Sequence, residues 1–166
     1  MRYYPVFLAL MAANVFAAES HCTNQEQTLF SCSVAKSAKV VSLCASPKFA
    51  KGQGTLAYRF GALGKVELEF PSSSTNSLQQ FRHAQYSRYQ VNRTEVSFSI
   101  GKYDYSVFDY YDGEEKPKES RGVRVSNIDG KVRETTLLCE GPVKSQLQKL
   151  EGVIPCDADS ALATCK

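Results

Sequence analysis

The alternation of apolar and polar positions is strictest between Arg93 and Tyr111, RTEVSFSIGKYDYSVFDYY. It runs on both sides of Gly101-Lys102, the mark of two half-buried strands joined by a two-residue turn. That turn pairs Ile100 with Tyr103, Phe98 with Tyr105 and Val96 with Val107 on one face. The other face pairs Ser99 with Asp104 and Ser97 with Ser106. Glycine at the first central position is what a type II′ turn requires, because that residue takes a positive φ. A slip of one residue would turn Val96, Phe98 and Ile100 outward, so a single register is specified. Tyr103, Tyr105 and Val107 are thereby assigned to the core. Phe108 and Tyr110 fall on the polar face, either packed under another segment or exposed as a recognition patch.

The same reading extends along the chain. Leu29 to Val34 and Lys39 to Ala45 are β-prone runs around a Ser37-Ala38 turn, with Cys32 opposite Cys44. Leu56, Tyr58 and Phe60 alternate with polar or small residues, as do Val66, Leu68 and Phe70. A five-residue loop, Gly61 to Lys65, keeps their faces together. It pairs Phe60 with Val66, Tyr58 with Leu68 and Leu56 with Phe70, and sets Arg59 opposite Glu67. Ser77-Leu78-Gln79-Gln80 resembles a capping box and predicts a helical turn from Leu78 to His83. Gln85 to Val91 reads as a strand. Arg121 to Asn127 and Val132 to Leu138 are strands joined at Asp129-Gly130. Pro142 opens a short helix with Val143, Leu147 and Leu150 on one face and Gly152 at its end. The expected fold is all-β, an antiparallel meander of seven to nine strands forming a small barrel or sandwich, with one short C-terminal helix.

Composition adds an address. The 166 residues suit one domain with a real core. Residues 1–18 have the pattern of a secretory signal peptide: Arg2, an apolar run from Val6 to Ala13, then small residues. Residues 19–166 then form a single β-rich domain with a disulfide-closed tail and no stable membrane anchor. All six cysteines lie in that mature part, which predicts disulfides and a periplasmic or secreted location. The preferred pairs are Cys32–Cys44 across a hairpin, Cys156–Cys165 in the tail and Cys22–Cys139. None of the six forms a Cys-x-x-Cys pair, which argues against zinc or dithiol chemistry. Twenty basic and 17 acidic residues are nearly balanced and scattered, so no nucleic-acid stripe is present.

Chemistry-bearing residues are sparse. His21 and His83 read as surface residues, and His83 has no nucleophile motif beside it. Glu67 and Glu69 share one strand face, where a solvated face explains them better than paired-carboxylate catalysis. Asp157-Ala158-Asp159-Ser160 lacks the glycine and terminal glutamate of a calcium loop and reads as a polar tail. No catalytic constellation, cofactor or metal is expected.

What remains is the hairpin tip. Ser99, Gly101, Lys102 and Asp104, with Phe108 and Tyr110 beside them, are the candidate partner-binding residues. The tip Ser99-Ile100-Gly101-Lys102-Tyr103, together with Phe30-Ser31-Cys32 and Leu137-Leu138-Cys139, resembles bacterial periplasmic lysozyme inhibitors. Those are small exported β-barrels whose Ser-Gly-x-Tyr loop enters the lysozyme cleft. The whole chain also looks like exported Gram-negative proteins, a class that includes immunity proteins. The resemblance implies a non-enzymatic inhibitor or neutraliser of a cell-envelope hydrolase, with another envelope protein as partner. Three alternatives stand beside it: a small-ligand barrel with Tyr58, Tyr103 and Tyr105 lining a cavity, an enzyme if His83 lies within hydrogen-bond reach of a serine or carboxylate in a cleft, and a structural accessory of the envelope.

Overall fold

A computed structural model describes residues 18–129, 133–162 and 165. The proposed signal peptide and the Gly130 turn therefore lie outside the described residues, apart from Ala18. Nine antiparallel strands form one curled sheet: β1 (Gln27–Val34), β2 (Lys39–Ala45), β3 (Leu56–Ala62), β4 (Lys65–Phe70), β5 (Arg82–Arg88), β6 (Val91–Ile100), β7 (Tyr103–Asp112), β8 (Lys118–Asn127) and β9 (Thr135–Ser145). Their order, β4-β3-β2-β1-β9-β8-β7-β6-β5, is two meanders joined where β1 pairs with β9. The sheet is thus a half-barrel, open between β4 and β5. Residues between those strands help fill the opening: Leu78 and Phe81 are buried in the main core.

Phe98 is the centre of that core. Its ring stacks on Tyr105 at 5.1 Å and on Phe70 at 4.7 Å, and meets Tyr58 at 4.9 Å and Phe81 at 5.3 Å. These rings tie β3 and β4 to β6 and β7 across the interior. Tyr58 is left 1% exposed, while Tyr103 is 45% exposed beyond the barrel end. The tyrosines therefore do not share a cavity.

The central hairpin has the register its alternation specifies, Val96↔Val107, Phe98↔Tyr105 and Ile100↔Tyr103. Gly101 takes φ +60°, as the turn requires. Other expectations are corrected. The β3–β4 turn is two residues, Leu63-Gly64, and the pairs are Tyr58↔Phe70, Arg59↔Glu69 and Phe60↔Leu68. The difference is a bulge between Phe60 and Gly61. A Cβ on Gly61 would lie 2.2 Å from the Lys65 carbonyl oxygen and 2.7 Å from the Glu67 nitrogen, so only glycine fits there. Instead of a helical turn from Leu78 to His83, a 3₁₀ turn spans Ser77–Gln80 without a side-chain cap. The next strand begins earlier than Gln85 and stops at Arg88, before the turn at Tyr89 and Gln90, where Gln90 has φ 59°. Pro142 lies inside β9 and opens no helix. It sits where the β1–β9 register shifts, next to Gly141 at φ 68°, a bulge site where a proline can be accommodated. The late helix is reduced to the 3₁₀ turn Leu147–Leu150, whose two leucines are fully buried.

The disulfides are Cys22–Cys44, Cys32–Cys139 and Cys156–Cys165. The tail pair agrees with expectation and the other two exchange partners. The cause is the β1–β2 register, interrupted between Thr28 and Phe30, which sets Cys32 opposite Val41 and Cys44 opposite Thr28. Side chains alternate across a strand, so Cys32 faces the core with Val41 while Cys44 faces out. There the segment before β1 crosses the sheet: Ser31 Oγ donates to the Glu19 carbonyl at 2.5 Å and His21 N donates to Ser42 Oγ at 2.9 Å. That segment brings Cys22 over Cys44. Three disulfides, with no free cysteine among the described residues, fit an oxidising, extracellular-type environment. No helix among the described residues is long and apolar enough to cross a membrane.

Candidate binding surface

The tip of β6–β7 is fixed from two sides. Ser99 Oγ donates to Asp104 Oδ1 at 2.5 Å across the last outward pair, and the Ile128 N–H donates to the Lys102 carbonyl at 3.0 Å. Gly101 and Lys102 are exposed, and open space surrounds Gly101. Its glycine is therefore demanded by φ and not by crowding. Tyr103 and Ile128, 45% and 56% exposed, flank the turn with apolar surface. Tyr103 pairs with Ile100 as expected but is not a core residue. It sits at the last rung of the hairpin, past the rings that close the interior.

The two aromatics expected beside the tip lie elsewhere. Phe108 is 2% exposed, with the Arg124 guanidinium 5.3 Å above its ring and Tyr110 at 5.0 Å. Tyr110 is half-buried, and its hydroxyl donates to Glu95. Of the six candidate residues, Ser99, Gly101, Lys102 and Asp104 gather at the tip. Phe108 and Tyr110 belong to a packed layer on the outward face. Glu95 organises that layer, also accepting from Arg124 Nη1 at 3.1 Å and from Ser160 Oγ at 3.2 Å. Burial and the bond to Glu95 push the Tyr110 phenol up to about 12, so it remains a neutral donor.

Ser160 belongs to the loop closed by Cys156–Cys165, which folds back onto this face. Ser97 Oγ donates to Asp157, and the tail pairs in parallel with the β5 edge through His83 N to the Pro155 carbonyl at 2.8 Å and Asp157 N to the His83 carbonyl at 2.9 Å. His83 is accordingly 5% exposed, not a surface residue. Burial lowers its pKa, partly offset by Glu151 and by a hydrogen bond to the Leu147 backbone. Its Nε2 has no hydrogen-bond partner among the described residues, so no serine or carboxylate relay is formed there. The paired carboxylates of β4 are taken up separately, Glu67 by Lys39 and Glu69 by Arg59.

The chain gives no significant match to any protein-family model, curated protein or solved structure. Its surface must therefore be read from its own geometry. Strand alternation places Glu95 and Arg124 on the outward face with Tyr110, so their neighbourhood is legible in the sequence. The tail contact and the exposure of Ile128 are not, because both depend on where distant segments come to rest.

Proposed function

We propose that this chain is an exported binding protein of the bacterial periplasm that inhibits or neutralises a cell-envelope hydrolase through the β6–β7 tip. The carrying observation is a pre-set turn presenting one cation, Lys102, between the exposed side chains of Tyr103 and Ile128. A rigid projection needs little ordering on binding, and an aromatic beside a charge is a common interface anchor. Glycan hydrolases commonly keep two carboxyl groups in a cleft, and Lys102 is a suitable charge to enter one. The likeness of the tip to periplasmic lysozyme inhibitors points the same way, with Ser99 acting here by holding Asp104 and not by projecting. The interior packing of Tyr58 and Phe98 leaves the barrel-ligand alternative without support.

The test is inhibition of purified envelope glycan hydrolases, lysozymes among them, by the mature protein. At least one enzyme is expected to be inhibited, with potency falling at least tenfold in Lys102→Ala and in Tyr103→Ala. Ser99→Ala is expected to weaken it less. Full inhibition by both tip variants, or no inhibition of any enzyme in the set, would overturn the reading.

A further inference from the structure

Beside the tip, on the outward face of β6–β8, lies a groove of about 900 Å³. Its floor is the row that alternation sends outward, including Ser97 on β6, Ser106 and Tyr110 on β7, and Arg124 and Ser126 on β8. Its wall is the tail from Asp157 to Leu162. The volume is within the ~300–1,000 Å³ of ordinary small-ligand sites.

Two features define what it can take. The floor is pre-set: Glu95, only 9% exposed, holds Tyr110, Arg124 and Ser160 together. The lining also mixes both signs of charge with hydroxyls. Arg82, Arg93 and Arg124 line it along with Glu134, Asp104, Asp157 and Asp159; Arg93 pairs with Asp112 and Arg124 with Glu95 and Glu134, while the three aspartates have no basic partner within 4.0 Å among the described residues. Asp104 accepts a serine hydroxyl on one oxygen, which leaves its second oxygen available, whereas Asp157 accepts from Ser97 Oγ on one oxygen and from the Asp159 N–H at 3.3 Å on the other. Ser106 Oγ is enclosed without a hydrogen-bond partner among the described residues. A cation entering here meets the arginines, and an anion meets the carboxylates. A ligand rich in uncharged hydroxyls suits both, because each hydroxyl donates and accepts. The Tyr110 ring is covered by the Arg93 guanidinium at 5.8 Å and by Phe108 at 5.0 Å, so it serves the groove through its hydroxyl network and not as a stacking face.

We infer that this groove is a binding site for an uncharged oligosaccharide, walled by the disulfide-closed tail. The groove shares Ser99 and Asp104 with the tip but is not lined by Lys102 or Tyr103, so variants at those two positions distinguish failure of one reading from failure of the other. The test is calorimetric titration of the mature protein with N-acetylchitotetraose and cellotetraose, and with spermidine and a heparin tetrasaccharide as charged comparators. Saturable binding of at least one neutral tetrasaccharide is expected. It should weaken at least tenfold in Asp159→Ala and in Ser126→Tyr, which removes an acceptor and fills the groove, respectively. Circular dichroism and thermal melting establish that both variants are folded. Lys102→Ala is expected to bind sugar like the parent. No saturable binding of either neutral sugar at millimolar concentration would overturn the proposal. So would binding of a charged comparator in preference to the neutral sugars, or undiminished sugar binding in both folded groove variants.

Discussion

At the scale of single residues, Phe98 and His83 carry the clearest consequences. Phe98 touches four other aromatic rings, so truncating it leaves a cavity between the two wings of the sheet. Phe98→Ala is expected to lower unfolding free energy by about 3–5 kcal/mol in denaturant titration. His83 titrates with a definite sign. Its folded pKa lies below 6.5, so the unfolded chain binds the extra proton first as pH falls. The stability it contributes is full above pH 6.5 and is lost as pH drops through the lowered folded value. Melting temperature measured between pH 7.5 and 5 is expected to fall, and His83→Gln should remove that part of the slope. The exchange of Tyr103 and Phe108 has the same local origin. Alternation gives which face a side chain takes, but exposure on that face depends on what lies above it. Among the described residues Tyr103 stays 45% exposed, whereas Phe108 lies under Arg124.

At the scale of elements, the hairpins divide by whether a bulge interrupts them. β6–β7 has none, and the five pairs its side-chain pattern specified from one turn fall within an uninterrupted run of ten. Ala at position 101 would force a side chain into positive φ. Gly101→Ala is expected to cost about 1–2 kcal/mol of stability, and to weaken hydrolase inhibition by disturbing the tip. In β3–β4, β1–β2 and β1–β9 the register shifts within the pairing. An extra residue at a bulge leaves the apolar pattern almost unchanged, so the sequence points to the strands but not to their offset. Gly61→Ala tests the β3–β4 bulge. With the Lys65 carbonyl in the way, it is expected to destabilise more than Gly64→Ala, where the space is open, as read by thermal melting.

At the scale of the whole molecule, Cys32–Cys139 and the β1–β9 pairing unite two meanders that are far apart in the chain. That disulfide closes a separation of 107 residues, against nine for Cys156–Cys165. In chain-entropy terms the long loop is worth about 5 kcal/mol and the short one about 3 kcal/mol. Replacing both cysteines of the long pair by alanine is therefore expected to cost more stability in denaturant titration than replacing those of the tail. Replacing the tail pair should instead loosen the wall of the groove, seen as faster proteolysis after residue 155. The sequence by itself determined the all-β class, the positions of most strands, the central hairpin with its register and the disulfide-forming environment. Each of these follows from short-range alternation, turn chemistry and cysteine content. Tertiary structure alone decided the pairing of Cys22, Cys32, Cys44 and Cys139, the burial of His83 and Phe108, and the joining of tail to groove. These rest on contacts between segments tens of residues apart, and on bulges that shift which partners meet while leaving each strand's own pattern intact.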